Sequence, residues 1–389
     1  MDYNKLLAKS VVNTEKSGIR KFFDLLETMD DVVGLTVGQP DFVTPWHIRE
    51  AGIESLEKGK TYYTSNAGTM ALRIEIDKYL TRRFGVSYAP AKEIIVTVGG
   101  SEAIDIAIRA VVEAGDEVII PTPSFVCYAP ITRIAGGVPV IVETRNEDKF
   151  KLTPEALKAA ITPRTKLLVL PFPNNPTGAI MTKEELEGIA EVLRDTNILV
   201  LSDEIYAEMT YGREHCSIAS IEGMKERTVI VSGFSMAYAM TGWRLGYLCA
   251  PAPLTEQMLK IHQYCIMSSP PTAQFAAIEA LRTGAADVKM MVEEYNRRRR
   301  YIMGGLKSIG IECFEPEGAF YIFPKIGQYG LSSDEFCDRL LHEKRCAIVP
   351  GTAFGAGGEG FARISYAYSI NHITQALERI EAFVKTLRL

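Results

Sequence analysis

Seven short apolar runs divide the middle of this chain, and they restrict the fold more than any other feature. They cover residues 94–98, 117–121, 140–144, 166–171, 198–203, 228–233 and 245–250. Most are rich in β-branched residues and bounded by Gly, Pro or Asp, as strands buried on both faces are. Between the first two, Ala103, Ile104, Ala107, Ile108, Val111 and Val112 fall on one helical face. Strand–helix alternation predicts an α/β fold, a mostly parallel sheet covered by helices, with ligands at the carboxyl ends of the strands. At 389 residues the chain is long for a single core. A large domain over 46–295 is expected, with a smaller α+β domain built from 1–45 and 296–389. In the smaller unit, 320–323 and 362–365 read as strands and 370–385 as a closing amphipathic helix. The segment 253–295 reads as mostly helical, and glycine-rich 355–360 as a turn.

Composition excludes several classes. The net charge of −5 argues against nucleic acid or an anionic membrane as partner. No apolar run approaches a membrane span. The seven cysteines are odd in number and scattered, which suits a reducing cytoplasm. Neither they nor the five histidines show metal-ligand spacing, so no metal is expected.

The residues that carry chemistry sit at strand ends. Gly100, Ser101 and Glu102 follow the first run and open a helix, whose free N–H groups favour a phosphate. A tight turn is the plainer reading. Arg244 offers the fixed charge such a phosphate needs; a surface ion pair is its alternative. Asp203 ends a strand, and a carboxylate there can keep a pyridinium nitrogen protonated or simply cap a helix. Tyr206 and Asn175 are potential donors to the same ring, and Asn175-Pro176 is also a common turn. Phe125 can stack on a pyridine face or belong to the core. Arg363 suits a carboxylate clamp or a surface pair. Gly38 permits a close backbone approach.

Together and in order, the motifs resemble the class I and II aminotransferases, which are fold-type I enzymes dependent on pyridoxal 5′-phosphate. The matching stretches are GQPDFVTP (38–45), YTSNAG (63–68), GGSEA (99–103), GDEVIIP (115–121), NNPTG (174–178), SDEIY (202–206), SGFSMAYAMTGWRLGY (232–247), GAFYIFP (318–324), VPGTAFG (349–355) and ARISYA (362–367). SGIRKF (17–22), LTVGQPDF (35–42), NAGTMALR (66–73) and FKLTPEAL (150–157) are similar to bacterial N-acetyl-diaminopimelate aminotransferases and their aspartate- and aromatic-using relatives. The resemblance implies that Gly100, Ser101, Glu102, Ser235 and Arg244 hold the cofactor phosphate. It implies that Asn175, Asp203 and Tyr206 tune the ring, and that Arg363, Asn175 and Gly38 hold the substrate α-carboxylate. Ile19 and Tyr63 are expected near the side-chain pocket. Tyr63 is also expected to reach the phosphate of a neighbouring subunit, which implies a homodimer with shared sites. The implied substrates are an L-amino acid and a 2-oxo acid.

Two positions depart from the pattern. Gly233 stands where many relatives carry a phosphate-binding serine. Met236 stands where the family carries the lysine that forms a Schiff base with the cofactor and then moves the proton at the substrate carbon. A thioether does neither. Lys225 and Lys260, the nearest lysines in sequence, lie well outside the motif. Such a replacement fits a deliberate change that traps a complex, or a natural non-catalytic relative that binds cofactor or an amino acid. A β-lyase or decarboxylase of the same fold is the remaining alternative.

Overall fold

All seven apolar runs become neighbours in one sheet. A computed structural model describes residues 1–16, 18 and 29–387. The strands are β2 (Ile94–Thr97), β3 (Glu117–Thr122), β4 (Val138–Glu143), β5 (Thr165–Leu170), β6 (Leu199–Asp203), β7 (Thr228–Gly233) and β8 (Gly246–Cys249), with β1 (Val33–Gly34) preceding them elsewhere. Their spatial order is β2-β8-β7-β6-β5-β3-β4. The pairs from β7 through β4 are parallel, and β8 is antiparallel to both β7 and β2. Two reversals leave β2 pointing the same way as β7, so β8 alone is inverted. The reason is length: only residues 234–245 connect β7 to β8, and they form the motif loop instead of a crossover helix.

The strand interiors explain the unbroken apolar runs. Every residue of β2, β3 and β8 is buried. The helix Gly99–Val111 lays Ala103, Ile104, Ala107 and Ile108 onto this sheet, within a cluster that includes Ile95, Val118, Ile120 and Val169. Val111, expected on the same face, is only partly buried. Because six strands share a direction, the loops after β2, β3, β5, β6 and β7 converge at one end.

The second unit holds four short strands, two of them within the strands expected at 320–323 and 362–365. They are β9 (Tyr321–Ile322), β10 (Cys346–Ala347), β11 (Val349–Pro350) and β12 (Ala362–Ser365). β11, β12 and β9 form an antiparallel sheet, while β10 pairs in parallel with β1. The N-terminal segment continues beyond β1: Leu35 N–H donates to Ala347 O, and Ser365 N–H donates to Leu35 O. It therefore runs alongside the C-terminal third of the chain. The closing helix covers Ile370–Leu387. The expected boundary at 295/296 falls inside a continuous helix, Ala285–Ile309.

One close approach ties β8 to the start of the helix Gly99–Val111. A Cβ on Gly246 would lie 2.6 Å from the Gly99 carbonyl carbon and 2.7 Å from Gly100 N. Gly246→Ala is expected to push that helix start away and to lower unfolding free energy by about 1–3 kcal/mol, the usual cost of overpacking. Urea denaturation of the free protein measures it.

Candidate active site

The converging loops enclose a cavity of about 280 Å³. At one end lies the helix Gly99–Val111, whose N-terminus no side chain caps. Its first N–H groups are thus left for another acceptor. Gly100 and Ser101 line the cavity there. The Arg244 guanidinium lies over the same turn. Gly99 has φ +79°, and a Cβ on it would sit 2.5 Å from Arg244 Nη2. Arg244 itself adopts φ +52°, and its Nη1 donates to Thr241 O at 3.1 Å. The turn is anchored from behind: Trp243 Nε1 donates to Thr44 Oγ1, and Thr44 Oγ1 donates to Ala239 O. Among the described residues no carboxylate pairs with Arg244. An uncapped helix start and a guanidinium free of carboxylates form a cup for an anion such as phosphate.

The Glu102 side chain does not join this cup. Its Oε2 accepts from Val98 N–H at 2.5 Å, and its Oε1 meets Nδ1 of fully buried His262 at 2.6 Å. The Glu102 carboxylate is thus taken up by the loop and His262, which leaves only its backbone N–H, in the helix's first turn, for the cup. Ser235 is buried and lines the cavity. At Gly233 a Cβ would stand 3.0 Å from Gly246 Cα and 3.1 Å from Leu245 O. The close β7–β8 pairing therefore leaves little room for a serine there.

Asp203, at the end of β6, faces the cavity and is 7% exposed. Tyr128 Oη donates to its Oδ2 at 2.7 Å and Ile205 N–H donates to its Oδ1 at 3.2 Å. Burial raises the Asp203 pKa to about 6, with the Tyr128 and Ile205 hydrogen bonds pulling the other way and Glu204 adding slightly. Phe125 lines the cavity edge-on to Tyr128, at 6.3 Å between ring centroids. Tyr206 is buried, and its hydroxyl is 2.8 Å from that of Tyr321.

At the other end sits Arg363 on β12, 2% exposed. Its Nη1 donates to Asn175 Oδ1 at 3.0 Å and its Nη2 donates to Thr36 O at 2.5 Å. The rings of Tyr321 and Phe354 face it at 4.6 and 4.8 Å. Burial lowers its pKa from the ordinary arginine value. Its Nε is buried without a hydrogen-bond partner among the described residues. A buried cation with an unpaired donor favours an anionic, planar ligand. Gly38 closes this end, since a Cβ there would lie 2.6 Å from Tyr321 Oη.

Met236 lines the cavity and packs against the main core cluster. No lysine lines the cavity among the described residues. Tyr63 is 79% exposed and lies outside the cavity of its own chain. Ile19 falls outside the described residues. Among those residues no group of His, Cys, Asp or Glu is placed to hold a metal, and no helix is long and apolar enough to cross a membrane.

Sequence reasoning missed Tyr128, Tyr321 and the Thr36 carbonyl. Tyr321 lies within the recognised GAFYIFP stretch, so it was visible but had no role attached. Tyr128 gave no signal beyond its position three residues after Phe125.

A family model described as "Aminotransferase class I and II" matches residues 30–380. The chain belongs to the class I and II aminotransferases. The family is pyridoxal-phosphate-dependent. A putative aminotransferase of Bacillus subtilis (strain 168), YugH, is 52% identical, covering 97% of this chain and 98% of that protein. A probable N-acetyl-LL-diaminopimelate aminotransferase of the same organism is 43% identical over 97% and 96%. Among solved structures, an aromatic aminotransferase from Pyrococcus horikoshii OT3 superposes with a TM-score of 0.91 at 43% identity, covering 94% of this chain and 99% of that one. An aspartate aminotransferase from Thermus thermophilus with maleate gives 0.93 at 39%, covering 97% and 99%. The fold is that of the aspartate aminotransferases.

In this aminotransferase the raised Asp203 pKa has a sign that can be tested. A carboxyl whose folded pKa lies above its ordinary value binds a proton more tightly folded than unfolded. Its stabilising contribution is present below about pH 4 and is lost as pH rises to about 6. Relative to the unsubstituted chain, cofactor-free Asp203→Asn should gain stability across that window and change no further above about pH 7. Urea unfolding at several pH values checks this.

Proposed function

We propose that this cavity is the site of amino-group exchange between an L-amino acid and a 2-oxo acid, and that Met236 leaves it without the amine that exchange requires. One observation carries the reading. An anion cup and a carboxylate clamp stand in a single cavity with a buried Asp203, and among the described residues its lining includes Met236 but no lysine.

The roles follow from what each group can do. The N–H groups of Gly100 and Ser101, with Arg244 and Ser235, bind the phosphate. Asp203 holds a proton at the ring nitrogen, because an ionised carboxylate paired with a cationic N–H avoids the cost of a lone buried charge. Tyr206 and Asn175 donate to the ring oxygen, and Phe125 covers one ring face. Arg363, assisted by Asn175 and the open backbone at Gly38, orients the substrate carboxylate. When bound, the cofactor supplies an electron sink for the bond broken at the substrate α-carbon. Met236 fills part of the cavity but carries no proton between atoms. The proposal extends to a cytoplasmic homodimer in which Tyr63 completes the partner's cup. The exposed placement of Tyr63 and its absence from its own cavity support that arrangement.

A second reading, a binding protein that retains cofactor without turnover, is favoured by the same Met236. A β-lyase or decarboxylase differs only in product. The Met236→Lys variant separates them. With cofactor and a panel of amino acids it should develop the absorption of covalently held cofactor and yield 2-oxo acids. The unsubstituted chain should bind aminated cofactor reversibly and turn over at least about two to four orders of magnitude more slowly, the usual effect of losing a general acid–base. Absence of any half-reaction in Met236→Lys refutes the catalytic reading, and ammonia or carbon dioxide as product supports the third.

Arg363→Lys in the Met236→Lys background keeps the charge but loses the two-pronged geometry. It should raise KM for amino acid about tenfold or more while leaving cofactor affinity within about twofold. Steady-state kinetics and cofactor titration read the two separately. Light scattering should give twice the 43.0 kDa chain mass.

A further inference from the structure

Tyr321 is the group in the cavity whose chemistry the reaction scheme leaves unused. It is fully buried at the start of the short strand β9, facing the cavity. Three contacts surround it. Its hydroxyl is 2.8 Å from that of Tyr206, the Arg363 guanidinium lies 4.6 Å from its ring centroid, and Gly38 passes so close that a Cβ would stand 2.6 Å from its oxygen. Among the described residues, Tyr206 is the one hydrogen-bond partner of the Tyr321 hydroxyl.

Two hydroxyls at this distance share one hydrogen, and the other hydrogen stays available to a third group. We propose that Tyr321 is a positioning residue: its hydroxyl donates to the Tyr206 oxygen and so directs the Tyr206 hydrogen to the ring oxygen of the cofactor. The inference rests on the reading of the cavity as a cofactor site.

Electrostatics set the direction. Burial raises the pKa of both phenols. The cation of Arg363, facing the Tyr321 ring, is the main offset to burial at Tyr321; at Tyr206 it also lowers the pKa but follows the raising effect of the neighbouring Tyr321, and the Asp203 anion adds a small further rise. Tyr321 is thus the stronger acid and the better donor, and Tyr206 the better acceptor. A phenol that accepts a hydrogen bond becomes a stronger donor through its own hydrogen. Among the described residues no main-chain group is hydrogen-bonded to the Tyr321 oxygen, although Gly38 passes beside it. The same ring that seats the carboxylate clamp therefore orients the donor to the cofactor, linking the two ends of the cavity through one side chain.

A double-mutant cycle on the chain as it exists tests this, with pyridoxamine 5′-phosphate as the probe. Binding is followed by the probe's absorption and fluorescence, which respond to hydrogen bonding at its ring oxygen. Tyr321→Phe keeps the ring over Arg363 and removes only the hydroxyl. It should weaken binding about three- to tenfold, the range of one ordinary hydrogen bond, and shift the bound probe's spectrum toward that of Tyr206→Phe. In the Tyr206→Phe background, Tyr321→Phe should change neither affinity nor spectrum, because the residue acts through Tyr206. A purely structural role would lower melting temperature in both backgrounds without moving the spectrum. 3-Fluorotyrosine at position 321, which preserves shape and strengthens the acid, serves if Tyr321→Phe does not fold; it should tighten binding. Equal affinity and spectrum in Tyr321→Phe, additive losses in the cycle, or no effect of fluorination overturns the inference alone. Failure of the unsubstituted chain to bind the probe overturns the cofactor reading and this inference with it.

Discussion

A guanidinium with almost no access to water is the constraint around which this structure is arranged. Burying such a charge costs several kcal/mol unless its donors are satisfied. Arg363 meets that demand with groups from three distant parts of the sequence: the Asn175 side chain after β5, the Thr36 carbonyl beyond β1, and the ring of Tyr321 on β9. Each must be in place for the charge to be tolerated. The N-terminal segment consequently pairs with β10 and β12 and passes the cavity at Gly38. No carboxylate neutralises the arginine among the described residues, and its Nε lacks a partner. The protein thus maintains a preorganised electrostatic demand for an anion.

The opposite end of the cavity works by close approach more than by burial. Arg244, the Gly99 turn and Gly246 fit together only because two of the three positions lack a side chain. The result places a helix N-terminus and a guanidinium at one point while the helix behind them is fixed by Glu102 and His262. Between the ends, Asp203 is held by Tyr128 in a low-dielectric environment that burial alone would make unfavourable for an anion. A cationic ring nitrogen is the natural counter-charge. Anion cup, buried acid and buried cation form a set whose members are each costly alone and mutually consistent around a zwitterionic ligand.

Against this set, Met236 is conspicuous by its chemistry and not by its fit. It packs against the core while lining the cavity. A methionine occupies the volume of a lysine stem without strain, and among the described residues no lysine amine lines the cavity.

The order of strands and helices, the sheet interior, the helix start at Gly99 and most of the chemical residues were legible in sequence. Each depends on local signals: apolar runs, a glycine before a helix, a short motif. Met236 at its place in the motif was legible for the same reason, since it is a question of identity at one position. What only the tertiary structure decided involves partners far apart in the chain. Periodicity could not reveal β1, β10 or β11, which are two residues long and exist because neighbours 12 to 313 positions away complete their hydrogen bonds. Nor could it turn Glu102 away from the cup toward His262, invert β8, or bring the Tyr321 hydroxyl to that of Tyr206. Sequence determined which groups this protein carries and on which elements. Side-chain direction, burial and pairing were set by packing, because a hydrogen bond's partner depends on distance in space and leaves no trace in spacing along the chain.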